Sequence, residues 1–369
     1  MNLLSFEAKT YRNIESATLY FSPGVNLLFG ENAQGKTNAL EGIYLFARGK
    51  SYRGSSDEQL VKFGEKGFQI GITYQANDRE QSLEYRYYEG SRKRLKNGAA
   101  VRLAEMIGHF RAVLFCPEHL SLIKGAPQER RQFLNVAISQ CYPIYLKLCD
   151  EYNKILENRN ALLKNALKGI WFDGVELESW SERLSEVGAA IQAYRIAYIQ
   201  KLSPFAKDLL RDISYTKENM ELFYESEAAG KTEEEIKDAY RALYRENLSR
   251  EMAAGCTLYG VHRDDLGVLI NGKSARTYAS QGQQRSAVLS LKLAEGEVCR
   301  AITGEYPVFL FDDVMSELDE KRRGYVLRET GDRQVVITAC ESGGFEPDQT
   351  HMIRVSDGRF ENRERESDL

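Results

Sequence analysis

The run VNLLFGENAQGKTNAL, residues 25 to 40, decides the fold. Val25 to Phe29 is a short apolar run ending at Gly30, bounded as a buried strand is. After Thr37, Ala39, Leu40, Ile43, Tyr44 and Ala47 recur at helical spacing. Between the two, Gly30-Glu31-Asn32-Ala33-Gln34-Gly35-Lys36-Thr37 matches G-x-x-x-x-G-K-[ST]. Its glycines let the backbone curl so that successive N–H groups point at phosphate oxygens, and the helix N-terminus adds its dipole. Lys36 is expected to reach the β- and γ-phosphates of ATP, and the Thr37 hydroxyl to ligate Mg2+. Strand, loop and helix in this order favour a phosphate cradle over a structural glycine turn, in an α/β fold.

Around this run, β signals dominate the start of the chain. Leu4, Phe6 and Ala8 alternate, Leu19 and Phe21 suggest a second strand, and residues 68–74 and 83–88 interleave polar with apolar positions. The middle changes character. Tyr145, Leu148, Tyr152, Ile155, Leu162 and Ala166 recur at steps of three and four, with Arg159 in the one polar slot. Leu184, Val187, Ile191, Tyr194, Tyr198 and Phe205 follow the same rhythm, with Lys201 as the exception. Trp171-Phe172-Asp173-Gly174 breaks the pattern between them, so an antiparallel helical hairpin is expected. At about 20–25 residues per helix it would be roughly 30–38 Å long. The spacing fits a short projecting arm and two core helices of a lobe nearly equally. Beyond residue 255 β character returns in residues 265–270, 308–311 and 335–338. The continuous apolar runs there imply a sheet covered on both faces. The simplest architecture is one α/β domain, residues 1–114 and 255–369, interrupted by a helical lobe, residues 115–254.

Two further motifs lie in the C-terminal part. Val308-Phe309-Leu310-Phe311-Asp312-Asp313 is an apolar strand delivering adjacent carboxylates at its end. Asp312 is expected to hold Mg2+, directly or through water, and Asp313 to orient or deprotonate an attacking water. Alone, such a pair equally caps the next helix; together with residues 30–37 it has the form of a Walker B element. Ser280-Gln281-Gly282-Gln283-Gln284-Arg285 precedes a helix rich in Ala, Leu and Val. In isolation this is a helix cap, but Ser before Gly at a helix start is also an anion-binding geometry. A chain that already has its own cradle would use the second on a nucleotide held by another copy.

Bulk properties narrow the class. With 43% hydrophobic and 28% charged residues, the chain has enough apolar content for a packed core. Only the polar end, Glu361 to Leu369, has a disordered composition. No basic segment followed by an apolar run marks a secretory signal, and no stretch approaches the roughly 20 apolar residues of a membrane span. Six scattered cysteines without a CxxC pair give no zinc or disulfide pattern, which fits a reducing cytoplasm. A net charge of −4 argues against a uniformly basic surface and leaves local basic patches open.

The order of these motifs resembles ABC-type ATPases: P-loop, helical insertion, Ser280-Gln281-Gly282-Gln283 as signature, Asp312-Asp313, then Ser316-Glu317-Leu318-Asp319 as D-loop. Within them the chain is most similar to the RecF family, relatives of the Rad50 and SMC heads. The similarity rests on Tyr11-Arg12-Asn13, Lys50-Ser51-Tyr52-Arg53 and Phe115-Cys116-Pro117-Glu118-His119-Leu120. It also rests on Gly125-Ala126-Pro127 leading into Arg130-Arg131-Gln132-Phe133-Leu134, and on His262-Arg263-Asp264-Asp265. This resemblance implies an ABC-ATPase head with an inserted helical lobe, with Arg12, Asn13, Gly282 and Gln283 at the nucleotide and Ser280 acting in catalysis beside Lys36 and Asp313. It also implies a slow Mg2+-dependent ATPase switch that dimerises on ATP, binds duplex DNA near single-strand gaps and works with RecR to load RecA. Departures from the pattern are an Asp at 313 where most ABC proteins have Glu, and Thr338, expected after its strand, where many have a switch histidine. No Q-loop glutamine is visible, and residues 115–120 stand in its place.

Basic clusters at Arg92-Lys93-Arg94 with Lys96, at Arg130-Arg131 and at Lys321-Arg322-Arg323 are candidate phosphate contacts or solvated faces. Tyr85, Tyr87 and Tyr88 accompany the first. His109, His119 and His351 have a structural character, whereas His262 beside Arg263 is a candidate phosphate sensor. A transporter-type ABC subunit would carry a clearer signature and a switch histidine, and an SMC-like clamp much longer arms.

Overall fold

The computed structural model describes residues 1–215, 217–329, 333–346 and 348–362. Most of the polar C-terminal end, from residue 363, lies outside the described residues. In chain order the strands begin with β1 (Asn2–Tyr11), β2 (Ile14–Tyr20), β3 (Val25–Phe29), β4 (Gly67–Ala76) and β5 (Arg79–Tyr88). Next come β6 (Ser91–Lys96), β7 (Ala99–Ala100), β8 (Ala112–Phe115), β9 (Met220–Glu225), β10 (Asp265–Ile270) and β11 (Lys273–Ser274). β12 (Val308–Asp312), β13 (Val335–Ala339), β14 (Thr350–Ser356) and β15 (Arg359–Asn362) complete them. The chain divides into two compact units, one of Met1–Leu120, Asp212–Tyr215 and Gln281–Leu369, the other of Ser121–Arg211 and Thr216–Ser280.

The first unit contains two six-stranded sheets. One is antiparallel in the order β2-β1-β4-β5-β6-β7, and the other runs β15-β14-β3-β13-β12-β8. In β4 the alternation of the sequence becomes alternation of faces, with Phe68, Ile70, Ile72 and Tyr74 buried. In the second sheet β14, β3, β13, β12 and β8 are parallel neighbours, and every residue of β12 is buried, as the continuous apolar run requires. The helix Lys36–Arg48 packs against β1 on one side and against β8, β12 and β13 on the other. It is therefore buried from Ala39 through Ala47 and shows no exposed apolar stripe. Gly42 permits the close approach, because a Cβ there would lie 2.6 Å from the Phe6 ring. The Gln334 amide fastens the edge, accepting from Leu3 N at 2.6 Å and donating to Leu3 O at 2.7 Å.

The second unit is helical, with a three-stranded antiparallel sheet, β11-β10-β9. β10 pairs with β9 along six registered positions, and this unit extends to Ser280. A short alternating strand specifies one buried face but not its hydrogen-bonding neighbour, so sequence alone left β10 without a partner.

Pro143–Leu167 and Gly174–Ile213 form the antiparallel hairpin. Tyr142 and Tyr145 meet Tyr194, Glu151 meets Arg183, and Arg159 meets Ser181. The second helix has 40 residues, longer than the heptad reading gave, because buried Leu202, Ala206, Leu209 and Leu210 carry its apolar stripe past Pro204. Further helices cover part of the hairpin. Arg241 of Glu233–Glu246 reaches Glu182, Tyr240 reaches Gln192, and Glu251 of Leu248–Ala254 reaches Arg159. Leu167, Ile170, Trp171 and Val175, at its tip, are exposed.

Arg159, the polar residue in the heptad stripe, is wholly buried. Its guanidinium pairs with equally buried Glu251 at 2.6 Å, donates to Thr257 Oγ1 at 2.7 Å and to Ser181 Oγ at 2.8 Å, and lies 4.6 Å over the Tyr244 ring. Removing one member of such a pair strands the other charge, whereas removing both does not. Arg159→Met is expected to lower unfolding free energy by about 3–5 kcal/mol, and Arg159→Met with Glu251→Leu to regain most of it. Urea denaturation followed by circular dichroism checks this; equal losses in the single and double variants would contradict it.

Candidate active site

The site forms where the parallel strands end. β3 and β12 flank β13, so the glycine loop after Phe29 and the carboxylates at the end of β12 emerge on the same side of the sheet. Open α/β sheets place ligands at such carboxyl ends. Thr37 Oγ1 donates to Asp312 Oδ1 at 2.8 Å, joining residues 275 apart in sequence.

The loop itself depends on its two glycines. Gly30 has φ +153°, and a Cβ there would sit 2.2 Å from Val355 O on β14. Gly35 has φ +116°, and its Cβ would meet Asn13 Oδ1 at 2.9 Å. Asn13 thus braces the loop from outside, donating to Gln34 O at 3.1 Å and accepting from Asn38 Nδ2 at 2.9 Å. The turn between β14 and β15 holds the same rim, since Asp357 N donates to Gln34 Oε1 at 2.6 Å. Asn32 Oδ1 accepts from the Cys340 thiol, 3.0 Å away. Ala33 takes the left-handed conformation at φ +64°. Lys36 is buried and its ammonium donates to Gly30 O at 2.6 Å and Glu31 O at 2.7 Å, folding the charge across its own loop.

Asp312 is buried, and hydroxyl groups from three parts of the chain satisfy it. Thr37 and Thr338 both donate to Oδ1, the latter at 2.9 Å, and the Tyr52 hydroxyl donates to Oδ2 at 2.5 Å. Thr338 lies within β13 and not after it, opposite Asp312 in the parallel register, and is fully buried. Its hydroxyl also accepts from Asp313 N at 2.9 Å. That bond fixes Asp313 in the left-handed conformation at φ +54°, heading the short helix Val314–Glu317. Burial, with the adjacent Asp312 charge, lifts the Asp313 carboxyl above the usual carboxylate range, while Lys36 acts against the shift. Burial and the Asp312 charge likewise push the Tyr52 phenol far up, so it remains a donor.

The donor set suits a hard cation. A threonine hydroxyl and carboxylate oxygens are Mg2+-type ligands, and that ion typically takes one or two carboxylates and completes its shell with phosphates and water.

Arg12, expected at the nucleotide, grips buried Glu41 of the Lys36–Arg48 helix through Nε at 2.9 Å and Nη2 at 2.8 Å, and also donates to Ser55 Oγ and Gln59 O. Ser51 donates to the same carboxylate at 2.5 Å, so two of the family-like segments meet at Glu41. Ser280 is the last residue of the second unit, immediately before the helix Gln281–Thr303. The start of that helix is tied to the D-loop segment by Arg322, which donates to Gly282 O and Ser286 Oγ and pairs with Asp319. Gln283 follows on the first turn. His262 is no free phosphate sensor. Its ring nitrogens meet Tyr152 Oη at 2.8 Å and Thr257 O at 3.3 Å, and burial pushes its pKa down to about 4.

Of the basic clusters, Arg130 is buried, chelating Asp265 and donating to Leu122, Ile123 and Gly125 carbonyls. Arg131 donates to Asp264 O. On β6, Arg92 pairs with Asp57, Arg94 stacks over Tyr85 and Lys93 is exposed; Tyr85 and Tyr87 point into the core while Tyr88 points out.

A family model described as RecF/RecN/SMC N terminal domain matches residues 2–360. A protein of Alkaliphilus oremlandii called "DNA replication and repair protein RecF" is 41% identical over 333 residues, 89% of this chain and 90% of its own. One of that name from Desulfitobacterium hafniense is 38% identical over 364 residues, 98% and 99% of the two chains. A solved structure described as the recombination mediator protein RecF-ATP in the RecFOR pathway is 36% identical, covers 98% of both chains and has a TM-score of 0.91. An SmcHead structure, 16% identical over 98% of both chains with a TM-score of 0.57, shares the fold.

Thr338→Val keeps the shape of the side chain and removes the hydroxyl that serves both aspartates. It leaves the Asp313 N–H unpaired at a cost of about 1–3 kcal/mol. Urea denaturation of the nucleotide-free protein is expected to show that loss, with Thr338→Ser close to wild type. A Val variant as stable as wild type would show that Thr338 does not hold the pair.

Proposed function

Because the chain belongs to the RecF family of the RecF/RecN/SMC N-terminal group, we propose that it is an ATP-driven switch of DNA replication and repair. The observation that carries the reading is the Thr37–Asp312 hydrogen bond, which assembles P-loop and Walker B into one site.

In this reading the backbone N–H groups of residues 30–37 and the start of the following helix cradle the phosphates of ATP. Lys36 exchanges its two loop carbonyls for β- and γ-phosphate oxygens, and Thr37 with Asp312 holds Mg2+. Held there, Mg2+ would supply positive charge against the charge that develops on the phosphates. Asp313 accepts the proton of the attacking water. Being about one methylene shorter than glutamate, it reaches less far, which fits slow hydrolysis. The Ser280-Gln281-Gly282-Gln283 segment completes the site of a second copy, so ATP joins two chains and hydrolysis releases them.

The relatives extend the proposal to its setting. The solved RecF is described as a recombination mediator of the RecFOR pathway. We extend that role to this chain as binding of duplex DNA at single-strand gaps, partnership with RecR and loading of RecA in the cytoplasm. No helix among the described residues is long and apolar enough to cross a membrane.

Ser280→Arg places a bulky side chain at the proposed seam and leaves Lys36 and Thr37 untouched. The variant is expected to bind ATP as a monomer, to stay monomeric by light scattering where wild type dimerises, and to lose hydrolysis and ATP-stimulated binding of a gapped duplex. Mixed with Lys36→Met, it is expected to regain part of the ATPase activity, because both lesions can fall on one composite site. A Ser280→Arg protein that dimerises and hydrolyses ATP normally would refute the shared site.

A further inference from the structure

Tyr52 has no role in the P-loop, Walker B or signature logic, yet its hydroxyl reaches the carboxylate at their centre. Asp312 is 5% exposed and takes hydrogen bonds from three hydroxyl groups. A buried carboxylate in that position depends on hydrogen-bond donors. Thr37, in the first turn of the Lys36–Arg48 helix, and Thr338 on β13 donate to Oδ1, whereas Tyr52 donates to Oδ2.

The segment that delivers Tyr52 is itself fixed. Ser51 donates to Glu41 at 2.5 Å, and Arg53 stands 3.7 Å from the same carboxylate. Both flanking side chains thus anchor to the Lys36–Arg48 helix. Between them, the Tyr52 ring packs edge-on against Tyr44 of that helix, with centroids 6.0 Å apart at 74°. Neighbours that bond Glu41 and a ring seated on Tyr44 hold the phenol beside Asp312.

We propose that Tyr52 is a positioning residue for the cation site: by holding Oδ2 it turns Asp312 Oδ1 toward Thr37, so that hydroxyl and carboxylate oxygen face the ion as a set pair. This rests on the reading of Thr37 and Asp312 as the Mg2+ site. Groups that orient a metal ligand without touching the metal typically change metal affinity by about 10–100-fold when removed. The same hydroxyl couples the 50–55 segment, and through Glu41 also Arg12, to the site.

The test is the Mg2+ dependence of binding of a fluorescent ATP analogue to the full chain. Tyr52→Phe removes the hydroxyl and keeps the ring on Tyr44. Affinity measured in EDTA is expected to match wild type, while the Mg2+ concentration for half-maximal enhancement rises about tenfold. Tyr52→Leu, which also lacks a hydroxyl, is expected to show the same rise, so a folding defect in one variant leaves the other to decide. Half-saturation unchanged or lowered in either folded variant would overturn the assignment. If wild type itself shows no Mg2+ enhancement, the underlying reading of Thr37 and Asp312 fails as well.

Discussion

The buried carboxylate of Asp312 is the constraint on which the first unit turns. Burying such a group without a neighbouring cation costs free energy unless its lone pairs are filled. Here the filling groups are Thr37 after the glycine loop, Thr338 on β13 and Tyr52 beyond the first helix. They converge only because β3, β13 and β12 are adjacent and parallel. The strand order, the entry of the Lys36–Arg48 helix and the bracing of that helix through Glu41 all serve this convergence. The same contacts explain why the two ends of the chain form one unit despite the inserted lobe. Local geometry adds to it: the left-handed Asp313 is held by the Thr338 hydroxyl, so the two adjacent aspartates differ in surroundings.

The second unit uses charge differently. Arg159 with Glu251, and Arg130 with Asp265, are held in its interior by several bonds each. Arg130 also gathers three carbonyls of the turn at 122–125, acting as a bracket for backbone. Buried ion pairs of this kind are seldom a net source of stability against apolar replacements. Arg159 joins one position of the first hairpin helix to Ser181 of the second and to Glu251 beyond.

Much of the site was legible because its chemistry is local. Gly30, Gly35, Lys36 and Thr37 occupy fixed places on one loop, and Asp312 ends a strand whose apolar run announces it. What stayed hidden is non-local. Tyr52 lies 260 residues from Asp312, and nothing in Lys50 to Arg53 marks a phenol aimed at a carboxylate. Thr338 pairs within β13, where sequence patterning does not say where pairing stops. Arg12 and Arg130 carry carboxylate partners, Glu41 and Asp265, supplied by distant sequence, which their own segments do not announce. The hairpin was legible from its heptads, but not the helices that cover it, because an apolar stripe does not identify what packs on it.

The most direct test of this account is calorimetric titration of ATP into the Asp312→Asn protein, with and without Mg2+. The amide keeps the size of the carboxylate but removes its charge and one acceptor. The account predicts a folded protein that binds ATP as wild type does in EDTA and loses the enhancement that Mg2+ gives wild type. A variant that retains the full Mg2+ enhancement would contradict it, because Asp312 would then not be the residue that joins the two ends of the chain at the nucleotide.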